Sequence, residues 1–72
     1  MTAPVKISVS IAGHRTSLSL EPAFWDAFRA LCRADGRTPT TVLKEIDGAR
    51  DGTLSGAVRL WVLARLRRAA EM

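Results

Sequence analysis

The segment HRTSLSLE, residues 14–21, alternates polar and apolar side chains at successive positions. One parity holds Arg15, Ser17 and Ser19, and the other holds Thr16, Leu18 and Leu20. Because successive side chains point to opposite faces of a β-strand, this alternation predicts a half-buried strand with one polar face. Pro22 follows at once and suits the first position of a helix, so we expect the strand to lead directly into a helix.

The preceding segment, VKISVSI at residues 5–11, also alternates, but its apolar side chains fall on odd positions. The apolar parity therefore changes across Ala12-Gly13, which one uninterrupted strand cannot accommodate. A hairpin with a loop at Ala12-Gly13 pairs like with like in every cross-strand pair except Ile11–His14. A single long strand with a bulge at Gly13 also shifts the parity by one and is the alternative.

Three helices are predicted after the strand region, over residues 22–35, 38–47 and 54–69. The first buries a stripe made of Phe24, Phe28, Leu31 and Cys32, on which Cys32 is a small apolar side chain rather than a reactive thiol. Thr38 is the expected N-cap of the second helix, and Gly48 and Asp51-Gly52 are expected to break it.

The third predicted helix has a broad apolar face, and either Thr53 or Ser55 is expected to cap it. Arg65, Arg67 and Arg68 are expected to form a solvated helix end. Trp25 and Trp61 lie within helical apolar stretches, so we expect them in the core or in a dimer interface rather than stacked on bases.

A chain of 72 residues forms at most one small domain, which buries only about 60% of its unfolded surface. Its single cysteine, Cys32, excludes a disulfide within the chain, and one His with one Cys argues against a metal site. Since 47% of the residues are nevertheless hydrophobic, we predict that a second copy supplies the missing burial in a two-fold homodimer. Residues 1–4 are expected to form a flexible tail.

The charge balance is basic, with 11 Lys and Arg against 7 Asp and Glu. This balance favours a polyanionic partner, either nucleic acid or an anionic membrane surface. No segment reaches the ~18 apolar residues of a membrane-spanning helix, and no signal-peptide pattern opens the chain. We therefore expect a cytoplasmic protein of a bacterium-like cell. No acid pair, activated nucleophile or glycine-rich phosphate loop is visible, so neither an enzyme nor a cofactor is predicted.

The order of strand, helix, turn at residues 36–38 and second helix resembles the ribbon-helix-helix family, best over residues 15–47. LSLEPAFWDAFRAL is similar to the strand-to-helix junction of that family, and GRTPTTVLKEI is similar to its turn into the second helix. GHRTSLSLEPAFW followed by LSGAVRLWVLARL resembles a group of small bacterial proteins with a variant of this domain. Two features depart from the family pattern: the glycines at 48 and 52, which precede a third helix, and the extra strand at residues 5–11.

The resemblance implies a single α+β domain over residues 1–72, mostly α. In it, an N-terminal β-ribbon precedes two or three short helices in an intertwined homodimer. In that family, strands of two chains pair antiparallel and enter the major groove of double-stranded DNA, which is about 12 Å wide and admits a two-stranded ribbon. The implied base contacts are Arg15, Ser17 and Ser19. Further candidates for DNA contacts are Lys6, Ser8, Ser10 and His14.

The resemblance also implies that the N-terminus of the second helix binds a DNA phosphate. The implied phosphate contacts are Arg37, Thr38, Thr40 and Thr41, because free backbone N–H groups and hydroxyls point the same way there. The leading hypothesis is therefore a sequence-specific transcriptional regulator. The alternative is an adaptor or antitoxin-like module that binds a protein partner through Leu60, Trp61 and Leu63 of the third helix.

Overall fold

The computed structural model describes residues 3–71, and within them two strands precede three helices. The elements are β1 (Val5–Ile11), β2 (His14–Leu20), α1 (Pro22–Ala34), α2 (Pro39–Ala49) and α3 (Leu54–Ala70). Of the tail predicted at residues 1–4, residues 1 and 2 lie outside the described part, and residues 3 and 4 have no regular secondary structure. The α+β, mostly helical fold class is confirmed for the single chain.

β1 and β2 form the predicted antiparallel hairpin in the predicted register, from Val5 opposite Leu20 to Ile11 opposite His14. The alternative of one bulged strand is therefore wrong. Ala12 and Gly13 have φ values of 51° and 82°, and a type I′ turn requires a positive φ at both central residues. Gly13 adopts this conformation readily, but the Cβ of Ala12 makes the left-handed region unfavourable, so the turn is strained at Ala12.

Replacing Ala12 by asparagine is expected to raise the free energy of unfolding by about 1 kcal/mol. Asparagine tolerates the left-handed region better than alanine, and Asn-Gly is a preferred type I′ sequence. Urea denaturation followed by circular dichroism measures the change. Gly13→Ala is the opposite control, because it places a second Cβ at positive φ and should destabilise the hairpin. A stabilising Gly13→Ala, or a destabilising Ala12→Asn, would contradict the turn type.

The apolar face of the hairpin packs against the helices, and the core is shared by all five elements. Its buried side chains are Ile11, Leu18, Leu20, Phe28, Cys32, Val42, Leu43, Ile46, Leu54, Val58 and Val62. The Phe28 ring stacks on Trp25, with 5.5 Å between ring centroids, and meets Trp61 edge-to-face at 5.2 Å. Both tryptophans pack against the core, as predicted.

One prediction about the helices needs correction, and one alternative is resolved. α2 passes through Gly48 and ends at Ala49, beyond the predicted end at residue 47, because one glycine costs a helix only about 1 kcal/mol and buried Ile46 holds that turn in place. The hydroxyl of Thr53, rather than that of Ser55, caps α3 by accepting a hydrogen bond from the Gly56 N–H, at 3.0 Å.

The surroundings of Cys32 agree with the prediction, whereas those of Arg65 do not. Cys32 is fully buried, and this burial raises the pKa of its thiol, which confirms a packing role. Arg65 does not form part of a solvated helix end as predicted: its guanidinium donates to both carboxylate oxygens of Asp35 and lies 5.3 Å from the Trp61 ring centroid. Asp35 is 30 residues earlier in the chain, so helical spacing alone does not reveal the pair.

Candidate nucleic-acid interface

The outer face of the hairpin is entirely polar and exposed. It consists of the cross-strand pairs Lys6–Ser19, Ser8–Ser17 and Ser10–Arg15. The face carries two positive charges, on Lys6 and Arg15, and no carboxylate. Lys6 and Arg15 lie about 13 Å apart along the ribbon, because Arg15 pairs with Ser10, four residues beyond Lys6. The structure thus brings six of the predicted DNA-contact residues onto one surface.

His14 is separated from this surface. It lies opposite Ile11 and shares its parity with Thr16 and Leu18, so it belongs to the face that packs towards the helices. At the hairpin tip, His14 is exposed and lines a shallow hollow together with Asp47 and Arg50. The geometry therefore does not group His14 with the six polar residues.

The outer edge of β2 is partly covered by α3. At β2, the Ser19 N–H donates to Ser55 Oγ at 2.8 Å, and Arg59 Nη2 donates to the Ser19 carbonyl at 3.3 Å. Both groups of Ser19 therefore point away from β1 and are covered by α3. Since inward and outward groups alternate along an antiparallel strand, those of Arg15 and Ser17 also point outward.

One of these two α3 residues, Arg59, also balances the negative charge beside this edge. Arg59 binds the Glu21 carboxylate through Nε at 3.1 Å and Nη2 at 2.9 Å, and its guanidinium lies 5.9 Å from the Phe24 ring centroid. A backbone hydrogen bond and this guanidinium hold the pKa of the Glu21 carboxyl below its ordinary value. Glu21, which lies between β2 and α1, is therefore neutralised by its ion pair with Arg59 and does not oppose an anionic ligand.

The predicted phosphate-binding residues gather at the N-terminus of α2. Thr38 Oγ1 accepts from the Thr41 N–H at 3.2 Å and lies 2.8 Å from Thr41 Oγ1, while Thr40 is exposed. Arg37 forms an ion pair with Glu45. Arg37 and Thr38 also line a surface hollow with Arg29, Arg33 and Pro39, so this corner of the molecule is basic.

The two ends of α2 lie at different distances from the hairpin tip. Asp47 and Arg50, at the C-terminal end of α2, lie beside the hairpin tip, so the N-terminus of this 11-residue helix is about 16 Å from it. The N-terminus of α3 lies against β2 instead, through Ser55. Sequence reasoning missed Ser55 and Arg59, because their contacts with β2 span 36 and 40 residues and have no local signal.

The described residues were also compared with what a metal site and a membrane-spanning helix require. No group of three or more His, Cys, Asp or Glu side chains that could hold a metal ion occurs within residues 3–71. None of the helices in that range is both long and apolar enough to cross a membrane.

Comparison with known proteins identifies a family but no individual relative. No curated protein and no solved structure gives a significant match. A family model described as a ribbon-helix-helix domain matches residues 4–66, which span the hairpin, α1, α2 and most of α3. The match covers most of the chain, and this protein therefore belongs to the ribbon-helix-helix domain family.

Proposed function

We propose that this protein is a homodimeric, sequence-specific DNA-binding protein that regulates transcription and reads the major groove with a dimeric antiparallel β-ribbon. Ribbon-helix-helix proteins are generally DNA-binding transcription regulators or antitoxins, and the domain is not typically enzymatic. The proposal includes a cytoplasmic location in a bacterial cell, double-stranded DNA as the ligand and no cofactor.

The exposed polar face of the hairpin is the observation that carries this proposal. An ordinary solvated sheet face mixes charges of both signs, whereas this one has two cations, four serines and no carboxylate. Arg15 is the residue assigned to guanine, because a guanidinium can donate two hydrogen bonds to O6 and N7. Ser17 and Ser19 can donate to or accept from base edges, and Lys6, Ser8 and Ser10 extend the same surface.

The basic corner at the N-terminus of α2 is the proposed phosphate contact, through Arg37, Thr38, Thr40 and Thr41. Backbone N–H groups at a helix start attract an anion, and such contacts position a protein on DNA without reading sequence. Because this corner lies about 16 Å from the hairpin tip along α2, one copy alone would reach a phosphate remote from the bases at the tip. A dimer can span that separation along the duplex.

The test compares Arg15→Ala with Arg68→Ala, which removes the same charge about 20 Å along α3 from the end that touches β2. A preferred site is first selected from random DNA, and the affinity ratio for that site over scrambled DNA is then measured by fluorescence anisotropy. Arg15→Ala should lower this ratio about 5- to 100-fold, because a bidentate contact with guanine discriminates by about 1–3 kcal/mol. Arg68→Ala should leave the ratio unchanged.

Ser17→Ala provides a second variant on the same face, and light scattering checks that each variant keeps its oligomeric state. An unchanged ratio in both Arg15→Ala and Ser17→Ala would contradict the assignment of the hairpin face to base reading.

One observation favours a second function, in which the protein binds a protein partner as an adaptor or antitoxin-like module. α3 buries Leu54, Val58 and Val62 on one side, while Leu60, Leu63 and Leu66 are 68%, 47% and 48% exposed. Exposed leucines grouped on one helix are typical of a protein-binding surface. Trp61, which was included in this predicted surface, is half-buried against Phe28 instead. If the fluorescence anisotropy measurements showed no binding to DNA, this second function would be favoured.

A further inference from the structure

An arginine cluster forms where the C-terminal ends of α1 and α3 lie beside the N-terminus of α2. Its members are Arg29, Arg33, Arg37, Arg65 and Arg68. The first three line one surface hollow. The hydrogen bonds from Arg65 lower the pKa of the Asp35 carboxyl, and the positive charges of Arg37 and Arg68 lower this pKa further, so both lie close to Asp35. The fold thus gathers arginines from both halves of the chain.

Carboxylates neutralise only two of the five arginines. Arg37 pairs with Glu45, and Arg65 donates to both carboxylate oxygens of Asp35. The other three arginines are exposed and form no ion pair within residues 3–71. Five positive charges less two carboxylates leave an excess of three at the cluster, against a net charge of +4 for the whole chain. Most of the net charge is therefore concentrated at one corner of the molecule.

Ordinary helix ends explain only part of this arrangement. Arg33 lies in the last turn of α1 and Arg68 in the last turn of α3, where the helix dipole stabilises a positive side chain. Arg29 lies before the last turn of α1, so the dipole does not account for it. The convergence of three helix ends also brings like charges together, and an anionic ligand would relieve their repulsion.

The unpaired arginines have the chemistry and the spacing that a phosphate backbone requires. A guanidinium stays charged at physiological pH and can donate two parallel hydrogen bonds to one phosphate. Arg29 and Arg33 are four residues apart, so they lie on the same side of α1 with their Cα atoms about 6 Å apart. Phosphates of one DNA strand recur about every 3.4 Å along the duplex axis. The two arginines can therefore bind nearby phosphates of one strand.

The size of the molecule allows the cluster and the hairpin to contact the same duplex. The chain extends over 37 Å in its longest direction, which is close to one turn of B-DNA, about 34–36 Å. Groups on one copy are therefore separated by no more than about one turn of a duplex. The hairpin can reach base edges while the cluster reaches the backbone.

We propose that Arg29, Arg33 and Arg68 form a second contact with the phosphate backbone of double-stranded DNA, separate from the N-terminus of α2. This inference rests on the proposed function. It gives a role in binding to the ends of α1 and α3, which lie outside the ribbon and the turn into α2. Because phosphate contacts do not read sequence, the three arginines strengthen binding to every DNA sequence alike. Arg68→Ala therefore lowers the affinities for selected and scrambled DNA together and leaves their ratio unchanged.

The test measures how the affinity for the selected site depends on salt, by fluorescence anisotropy between about 50 and 300 mM NaCl. Each phosphate contact releases counterions. Alanine at any one of the three arginines should therefore reduce the slope of log K against log salt by about 0.9 and weaken binding about five-fold near 0.15 M salt. The matched control is Lys44→Ala, because Lys44 is exposed on α2, lies outside the cluster and forms no ion pair within the described residues. Its slope should equal that of the wild type.

Two further measurements separate the charge of the cluster from its part in the fold. The double variant Arg29→Lys with Arg33→Lys keeps both charges and should retain the salt slope of the wild type. The double variant Arg29→Ala with Arg33→Ala should lower the slope by about 1.8. Thermal unfolding followed by circular dichroism checks that every variant is folded at the temperature of the titration.

The inference is overturned if the alanine variants keep the wild-type slope, if Lys44→Ala lowers the slope as much as they do, or if the variants lose binding to phosphatidylglycerol vesicles while their DNA slope is unchanged. A wild type that binds no DNA disproves both this inference and the proposed function. A wild type that binds all sequences equally, with a slope that the alanine variants reduce, disproves only the reading of sequence. A wild type that prefers its selected site, with a slope that the variants leave unchanged, disproves only the contact through the cluster.

Discussion

Phe28→Ala is expected to lower the free energy of unfolding by about 3–5 kcal/mol, the cost of deleting a large aromatic side chain from a packed core. Phe28 is fully buried and is the ring that Trp25 and Trp61 both contact. Truncation leaves a cavity between α1 and α3 that neither tryptophan can fill without moving. Small domains have only about 5–15 kcal/mol of total stability, so this variant should be partly unfolded at 37 °C.

Urea denaturation monitored by circular dichroism and tryptophan fluorescence measures this change. The matched control is Leu60→Ala, which also removes an apolar side chain, but one that is 68% exposed. Its effect should stay within about 0.5 kcal/mol. If Phe28→Ala were no more destabilising than Leu60→Ala, the aromatic cluster could not be the centre of the core.

Acidification below about pH 4 is expected to destabilise the fold through Asp35 and Glu21. The hydrogen bonds from Arg65 hold the pKa of the Asp35 carboxyl below its ordinary value, and Glu21 is shifted in the same direction. A carboxyl whose pKa is lower in the folded state binds its proton more readily in the unfolded chain. Its contribution to stability is therefore complete above the unfolded-state pKa and is lost as the pH falls through the folded-state pKa.

The melting temperature as a function of pH measures this effect. Asp35→Asn should melt several degrees below the wild type at pH 7, because Arg65 loses its partner, and the difference should narrow towards pH 3. Asp26→Asn is the control, since Asp26 is exposed and forms no ion pair within the described residues. A constant difference between Asp35→Asn and the wild type from pH 7 to pH 3 would contradict the role of the Asp35–Arg65 pair.

The hairpin shows how much local pattern can predict. The change of apolar parity at Ala12-Gly13 allowed only a turn or a bulge, and pairing of like side chains gave the register that the structure has. The three helices were also predicted nearly to their ends, because Pro22, Gly36 and Pro39 act on the backbone of their immediate neighbours. The six polar residues of the outer face follow from the same alternation.

The surroundings of that face could not be predicted in this way. Arg65 reaches Asp35 across 30 residues, and Ser55 reaches Ser19 across 36. Such contacts depend on how three helices stack beneath one hairpin, and no spacing within a single element encodes them. The exposure of the α3 leucines could not be predicted either. That helix is apolar on both sides, so its composition does not say which side is buried.

By itself, the sequence determined the elements of this protein, the hairpin register and the composition of the polar face, because these depend on alternation, helical period and turn residues within a few positions of one another. Only the tertiary structure decided that α3 covers the edge of β2 and that the N-terminus of α2 lies away from the hairpin tip. These features arise because side chains far apart in the chain compete for the same small core, and packing alone settles which of them is covered.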